Sequence, residues 1–295
     1  MTGPAPAGIR YVSTRADTGA GLPPGPRPRR RRGTLPRRLL APLAAVTLLT
    51  LVGLGPLLAP HPPDRTVGPP WASPDGSTPL GTDALGRDVL SRVLAGGTGL
   101  LSLALVAALA AVLLGTAAGL WSGWAGGGAA RRVAWVGDLL LAVPAPVLAL
   151  VLATALSGAS AVVTASVMAG APLTARVVAD EVAVLRRGGW VRAAVERGER
   201  APAVLLREIL PALRGLATAD AGLRLVTALQ LAAALSVLGL GPQPPAPDWA
   251  LMLREGLPGT ALNPAALLAP ALALALCAWV LGAASRSAGR TGGAR

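Results

Sequence analysis

The acidic side chains are the first place to look for chemistry in this 295-residue chain. Asp83 and Asp88 flank a glycine-punctuated turn (Gly81, Gly86), and carboxylates in such a setting are the usual hard ligands of a divalent cation. Asp220 and Arg224 stand four apart, a spacing that lets an ion pair close on one helix face. Asp138 and Asp220 are the clear acidic candidates within apolar stretches. Little else is reactive. All 27 basic residues are arginine, so there is no GK[ST] phosphate loop and no Schiff-base lysine. One cysteine (Cys277) and one histidine (His61) cannot build a zinc site, an iron–sulfur cluster or a Cys–His dyad. Cys277, inside an apolar run, reads as a small buried hydrophobe, and His61, between Pro60 and Pro62, as a solvated loop residue.

The elements that must position these groups are set by composition. Hydrophobic residues make up 53% of the chain and charged ones 14%, with a mean hydropathy of +0.57. A soluble monomer cannot hide that much apolar surface, which implies an all-α, polytopic membrane protein. Residues 1–36, rich in Pro, Gly and Arg, cannot form a core and are expected to be a disordered tail. An apolar run follows at 37–59, behind Arg37 and Arg38. Its charged flank also suits a cleaved signal, but its length favours an uncleaved first transmembrane helix. Residues 60–92 form a polar, Pro/Gly-punctuated segment. Five more apolar stretches, at 93–122, 133–157, 160–179, 212–240 and 262–284, predict six spans, with a core over 93–288 and a short tail at 289–295.

The arginines fix an expected orientation. With the N-terminus inside, 22 lie on the inner side and four (Arg65, Arg87, Arg92, Arg254) outside, while Arg224 falls within the fifth span. That bias predicts both termini in the cytoplasm, and it gives the +13 net charge a topological meaning rather than a nucleic-acid one. Gly115, Gly119 and Gly123 make a small-residue face on the second span. Pro144 and Pro146 should kink the third. Either feature fits ordinary helix packing or a pathway role. The Asp220–Arg224 pair is likewise open between a structural ion pair and a polar pathway lining.

Two polar segments are more specific. Trp190-Val-Arg-Ala-Ala-Val-Glu-Arg-Gly198, followed by Glu199–Glu208 and Ile209-Leu210-Pro211, reads as a short amphipathic helix, a glycine break and a second short helix. Such an element between two spans suits docking onto a soluble partner; the plainer alternative is a solvated connector. The spacing Ala193-Ala194-x-x-x-Gly198 with Ile209-Leu210-Pro211 resembles the EAA loop of ABC importer permeases, with Arg192 where glutamate is usual. Residues 80–92, LGTDALGRDVLSR, are similar to the LGTDxxGRDVLSR signature of the C-type subunit in the dipeptide/oligopeptide/nickel group of that family, which takes in Gly81, Thr82, Asp83, Gly86, Arg87 and Asp88. Leu238–Trp249 is similar to its FLGLGxQPPxPSWG segment, and Asp138–Pro144 to its DxLLAFP stretch.

The resemblance covers about residues 37–288 and implies a type I ABC importer permease of a bacterial plasma membrane. It implies a second homologous permease beside this one, two cytoplasmic ATP-binding subunits that use ATP and Mg, and an extracytoplasmic solute-binding protein. In it the loop at 190–211 couples the ATPases to the pathway through Trp190, Arg192, Ala193, Ala194, Gly198, Ile209, Leu210 and Pro211. The chain itself then needs no cofactor or metal and catalyses nothing. Peptides and nickel chelates both remain open as solutes. Two other classes stand beside this reading: a degenerate scaffold that docks a partner without moving solute, and a membrane-embedded transferase, for which the spans supply few acids or bases.

Overall fold

The computed structural model describes residues 35–156 and 158–292; the expected N-terminal tail falls outside them as far as residue 34, as do residues 293–295. Among the described residues the architecture is all-α, with only two isolated bridges, Thr66 to Arg87 and Thr82 to Asp88. The helices are α1 (Leu35–Leu58), α2 (Val89–Ala125), α3 (Gly127–Leu141), α4 (Ala145–Ala155), α5 (Gly158–Leu185), α6 (Gly189–Glu196), α7 (Ala201–Val204), α8 (Leu210–Ala212), α9 (Arg214–Val237), α10 (Trp249–Gly256) and α11 (Ala265–Gly292). Four of them, α2, α5, α9 and α11, are long and apolar enough to cross a bilayer, and α1 carries a shorter apolar stretch at Leu43–Leu58.

The third apolar stretch departs from the expected kinked helix. It is two helices, α3 and α4, whose axes differ by 81°. Pro144 and Pro146 explain the break: neither has an N–H for the helical ladder, and Pro144 sits with extended ψ (130°) ahead of α4.

Helix α2 is the spine. Asp88 caps its start, accepting from the N–H groups of Leu90 and Ser91, and Gly126 (φ 64°) ends it with its N–H on the Ser122 carbonyl. At 37 residues it runs about 55 Å, well beyond the hydrocarbon thickness, so its ends project into polar surroundings. Its glycine face meets α5. A Cβ at Gly115 would fall 2.6 Å from the Ala171 oxygen, one at Gly119 2.7 Å from that of Ala175, and one at Gly123 2.7 Å from that of Ala179. The shared period of four holds the two backbones together along three successive turns.

The main core gathers α1, α2, α9, α10 and α11 around Leu100, Leu229, Leu235, Trp249 and Cys277, which is buried as expected. Large apolar side chains also point outward: Leu105, Leu109 and Leu113 on α2, and Leu268, Leu272, Leu276 and Trp279 on α11. Water would penalise such surfaces heavily; lipid or a partner helix does not.

Candidate functional site

Three constellations carry the polar chemistry. The first is the connector between α5 and α9. Val191 and Ala194, one turn apart on α6, are almost completely buried against Val178 and Val182 of α5, Val204 of α7, Ile209 and Leu213. The end of α6 is a Schellman motif: Gly198 N–H donates to the Val195 carbonyl, Glu199 N–H reaches back to that of Ala194, and Gly198 takes φ 81°. The Ala-Ala-x-x-x-Gly spacing is therefore a helix terminus. Ala194 supplies the carbonyl of the longer bond and a side chain small enough for the core, and glycine supplies the left-handed residue. Beyond it, residues 205–209 form a π turn, with Leu210 N–H on the Leu205 carbonyl, one residue before Pro211. Proline has no N–H for the carbonyl four residues back, and the wider turn accommodates that loss.

This placement divides the expected coupling residues. Ala194 and Ile209 are buried and build the platform, Ala193 and Leu210 are half-buried, and Trp190, Arg192, Gly198 and Pro211 are exposed. Sequence reasoning passed over Val195 and Leu206, which expose 49% and 60% of their surface. Apolar side chains that project from a polar connector were the available sign.

The second constellation is built on the segment before α2. Gly81 (φ 69°) and Gly86 (φ 73°) hold left-handed turns where a side chain would strike the Ala72 and Gly68 carbonyls. Thr82 ties two strands of loop, accepting from Ala72 N–H at 2.7 Å and donating to the Pro69 carbonyl at 2.6 Å. Asp83 does not share a void with Asp88. Its Oδ1 accepts from the N–H groups of Leu85 and Arg87, and its Oδ2 from Arg87 Nε (2.7 Å) and Arg92 Nη1 (2.5 Å). Glu255 of α10 closes the network, accepting from Arg87 Nη2 at 3.1 Å and Arg92 Nη1 at 2.6 Å. Arg87 and Arg92 are buried, and Arg87 Nη1 and Arg92 Nε and Nη2 have no partner among the described residues. Two cations and two carboxylates balance, so the cluster is a buried ionic clasp between the start of α2 and α10.

Asp88 serves as the α2 cap and accepts from Ser91 Oγ at 2.5 Å. His61 is not a freely solvated loop residue: its N–H donates to Ser91 Oγ at 3.0 Å, and its Nδ1 lies 3.5 Å from Asp88 Oδ2. The prolines on either side stiffen the chain and deliver the ring to the cap. Asn263 fastens the far edge through the Leu80 and Thr82 carbonyls.

The third constellation is Asp220–Arg224. Arg224 donates from Nε and Nη2 to Asp220 Oδ1 at 3.2 and 3.1 Å, while Thr174 of α5 donates to Oδ2 at 2.5 Å. Both charged side chains are about nine-tenths buried. Arg224 also borders a cavity of about 180 Å³, lined mainly by alanines together with Ser166, whose buried hydroxyl has no partner among the described residues. The spacing thus does close an ion pair. A separate exposed pair, Arg176 with Asp138, links α5 to α3.

Comparison with known proteins bears on this arrangement. Residues 111–290 match the family described as "Binding-protein-dependent transport system inner membrane component". The chain is 34% identical over 187 residues to the glutathione transport system permease protein GsiD of Pectobacterium atrosepticum, covering 63% of this chain and 62% of that one. It is 35% identical over 195 residues to proteins of that name from Escherichia coli O6:K15:H31 and Shigella boydii serotype 4, with the same coverage. The match therefore spans somewhat less than two thirds of these relatives' length. With the family match running from the middle of α2 through α11 and across the α5–α9 connector, this multi-pass membrane protein belongs to the family of binding-protein-dependent transport system inner membrane components.

Proposed function

We propose that the chain is the permease subunit of an ATP-driven importer and forms the solute pathway with a second, homologous permease. The observation that carries this reading is α6. It is a short helix seated by Val191 and Ala194 on a platform made from both flanking transmembrane helices, with Trp190, Arg192 and Val195 left outward. A soluble subunit that grips this outward face moves α5 and α9 together. Two ATP-binding subunits, using ATP and Mg, are the partners such a lever needs, and an extracytoplasmic solute-binding protein would deliver the cargo.

In this reading α1 and the bent α3–α4 pair are the two further spans, and both termini lie in the cytoplasm, as the arginine bias requires. The ionic clasp then caps the outer end of the bundle. The relatives' names favour glutathione or a peptide-like solute over a nickel chelate. The readings as an idle scaffold and as a transferase lack a comparable observation.

The test is solute uptake and solute-stimulated ATP hydrolysis by the complex in proteoliposomes, with Gly198→Pro as the perturbation. Proline cannot adopt φ 81° and removes the N–H that closes α6, so uptake is expected to fail while the protein stays in the membrane. Normal uptake by this variant at wild-type protein levels would overturn the coupling assignment.

A further inference from the structure

Beside α6, the C-terminal ends of α2 and α5 enclose a crevice of about 580 Å³. Its charged lining is unbalanced: Arg186, Arg187 and Arg192 against Glu196 alone. Among the described residues none of the three arginines is within ion-pairing distance of a carboxylate, whereas Arg176 and Arg197 on the same connector and helix are paired. Arg186 is held in place. Its guanidinium carbon sits 5.4 Å from the centre of the Trp124 ring, and Nη1 donates to the Trp124 carbonyl. The crevice also has a definite depth. The apolar run of α2 gives out at Trp121 and Trp124, indoles that favour the boundary between lipid and water, and Arg131 and Arg132 follow within two turns.

We propose that this crevice binds the phosphate of an anionic phospholipid headgroup. Planar guanidiniums recognise phosphate oxygens through paired N–H donors, and basic pockets between helix ends at the cytoplasmic membrane boundary bind anionic lipid head groups. Arg192 and Val195 of α6 border the crevice as well as the outward face of that helix, but Arg186, Arg187 and Trp124 stand at the ends of α5 and α2 on the membrane boundary, which favours lipid over a protein surface as their occupant. The proposal stands on the membrane-spanning architecture alone and needs neither solute nor ATPase.

The experiment is native mass spectrometry of the full chain in detergent, titrated with phosphatidylglycerol, phosphatidylcholine or inorganic phosphate. Wild type is expected to retain phosphatidylglycerol preferentially. Each arginine near an anionic lipid contributes roughly fivefold, so Arg186→Gln/Arg187→Gln should weaken retention roughly 30-fold. Arg200→Gln/Arg207→Gln, at exposed arginines elsewhere on the connector, should leave it unchanged. If the first pair impairs folding, Arg187→Gln alone should cost roughly fivefold. Equal retention of both lipids, or equal loss in both double variants, would overturn the site. Arginine-dependent binding of inorganic phosphate as tight as that of the lipid would assign it to a free anion instead. Displacement of the lipid on adding the ATP-binding subunit, with protection of the same arginines, would assign it to a protein contact.

Discussion

Replacing Arg92 by methionine tests the ionic clasp most directly. Arg92 has no exposed side-chain surface, and its Nη1 bridges Asp83 and Glu255 at 2.5 and 2.6 Å. Removing it leaves two carboxylates, 6% and 14% exposed, sharing the single guanidinium of Arg87. Uncompensated charge at such depth costs about 3–5 kcal/mol. For a domain of this size that corresponds to a fall in melting temperature on the order of 10 °C. The companion variant, Arg92→Met/Glu255→Leu, removes one charge of each sign and leaves the Asp83–Arg87 pair at 2.7 Å intact. It should recover most of the loss, because a buried pair replaced whole by apolar groups is close to neutral. Thermal unfolding in detergent, followed by tryptophan fluorescence, reads both, since Trp249 packs nearby with its Nε1 on the Val93 carbonyl. A single variant within 1 °C of wild type, or a double variant no better than the single, would refute the clasp.

Other consequences follow from the same geometry. Gly119→Val should lower stability by roughly 1–3 kcal/mol, because its side chain meets the Ala175 carbonyl and Val178, whereas Gly99→Ala on the same helix has open space and should be neutral or slightly stabilising in the same melting assay. Asp220→Ala leaves Arg224 buried without its carboxylate and should cost more stability than the double alanine variant; if the pair also lines the pathway, uptake should fall in both, and full uptake in both removes that role. Asp75 accepts first from the Thr78 backbone N–H and also from both hydroxyls and the other N–H of the Ser77–Thr78 turn, which holds its carboxyl down to about 2. Its contribution to the loop is thus complete above the ordinary value of 3.8 and is lost as pH falls through about 2. The Asp75 carboxyl carbon shift should titrate in that window, and Asp75→Asn should abolish the acid dependence of loop proteolysis.

The sequence made some of this legible and hid the rest for identifiable reasons. Runs of Leu, Ala and Val announced the long helices because lipid imposes one demand on every residue of a span. The glycines at 115, 119 and 123 announced a close contact, though not that α5 supplies it. Chemistry assembled across long separations stayed hidden. Glu255, the fourth member of the clasp, stands more than 160 residues from Arg92, and nothing near either residue names the other. Helix α10 was missed because eight residues are too few to show a period, although Asp248, whose carboxylate accepts from Leu251 N–H, is an ordinary helix cap. Pro144 and Pro146 showed that the chain must bend but not that it turns through 81°, which depends on what α4 packs against.

The arrangement also settles which parts of the bundle can move as one. Helix α2 is unbroken from the Asp88 cap to Gly126, and the glycine contacts lock α5 to it over three turns. In the coupling proposed above, a force applied at α6 would enter α5 through Val178 and Val182, on the C-terminal side of Pro172, and pass to α2 through the contacts at Gly119 and Gly123. Compliance has to come from elsewhere. Pro172 inside α5 and Pro270 inside α11 each withhold a single i to i−4 bond while their helices continue; among the described residues, two places where the regular ladder itself gives way are the break between α3 and α4 and the π turn at residues 205–209. Both lie at the margins of the α2–α5 pair, one on the α3–α4 flank and one at the entry to α9. Under the coupling proposed above, a bundle with a firm centre and yielding edges would answer a push on its connector by tilting rather than by unwinding, the motion that alternating access would need.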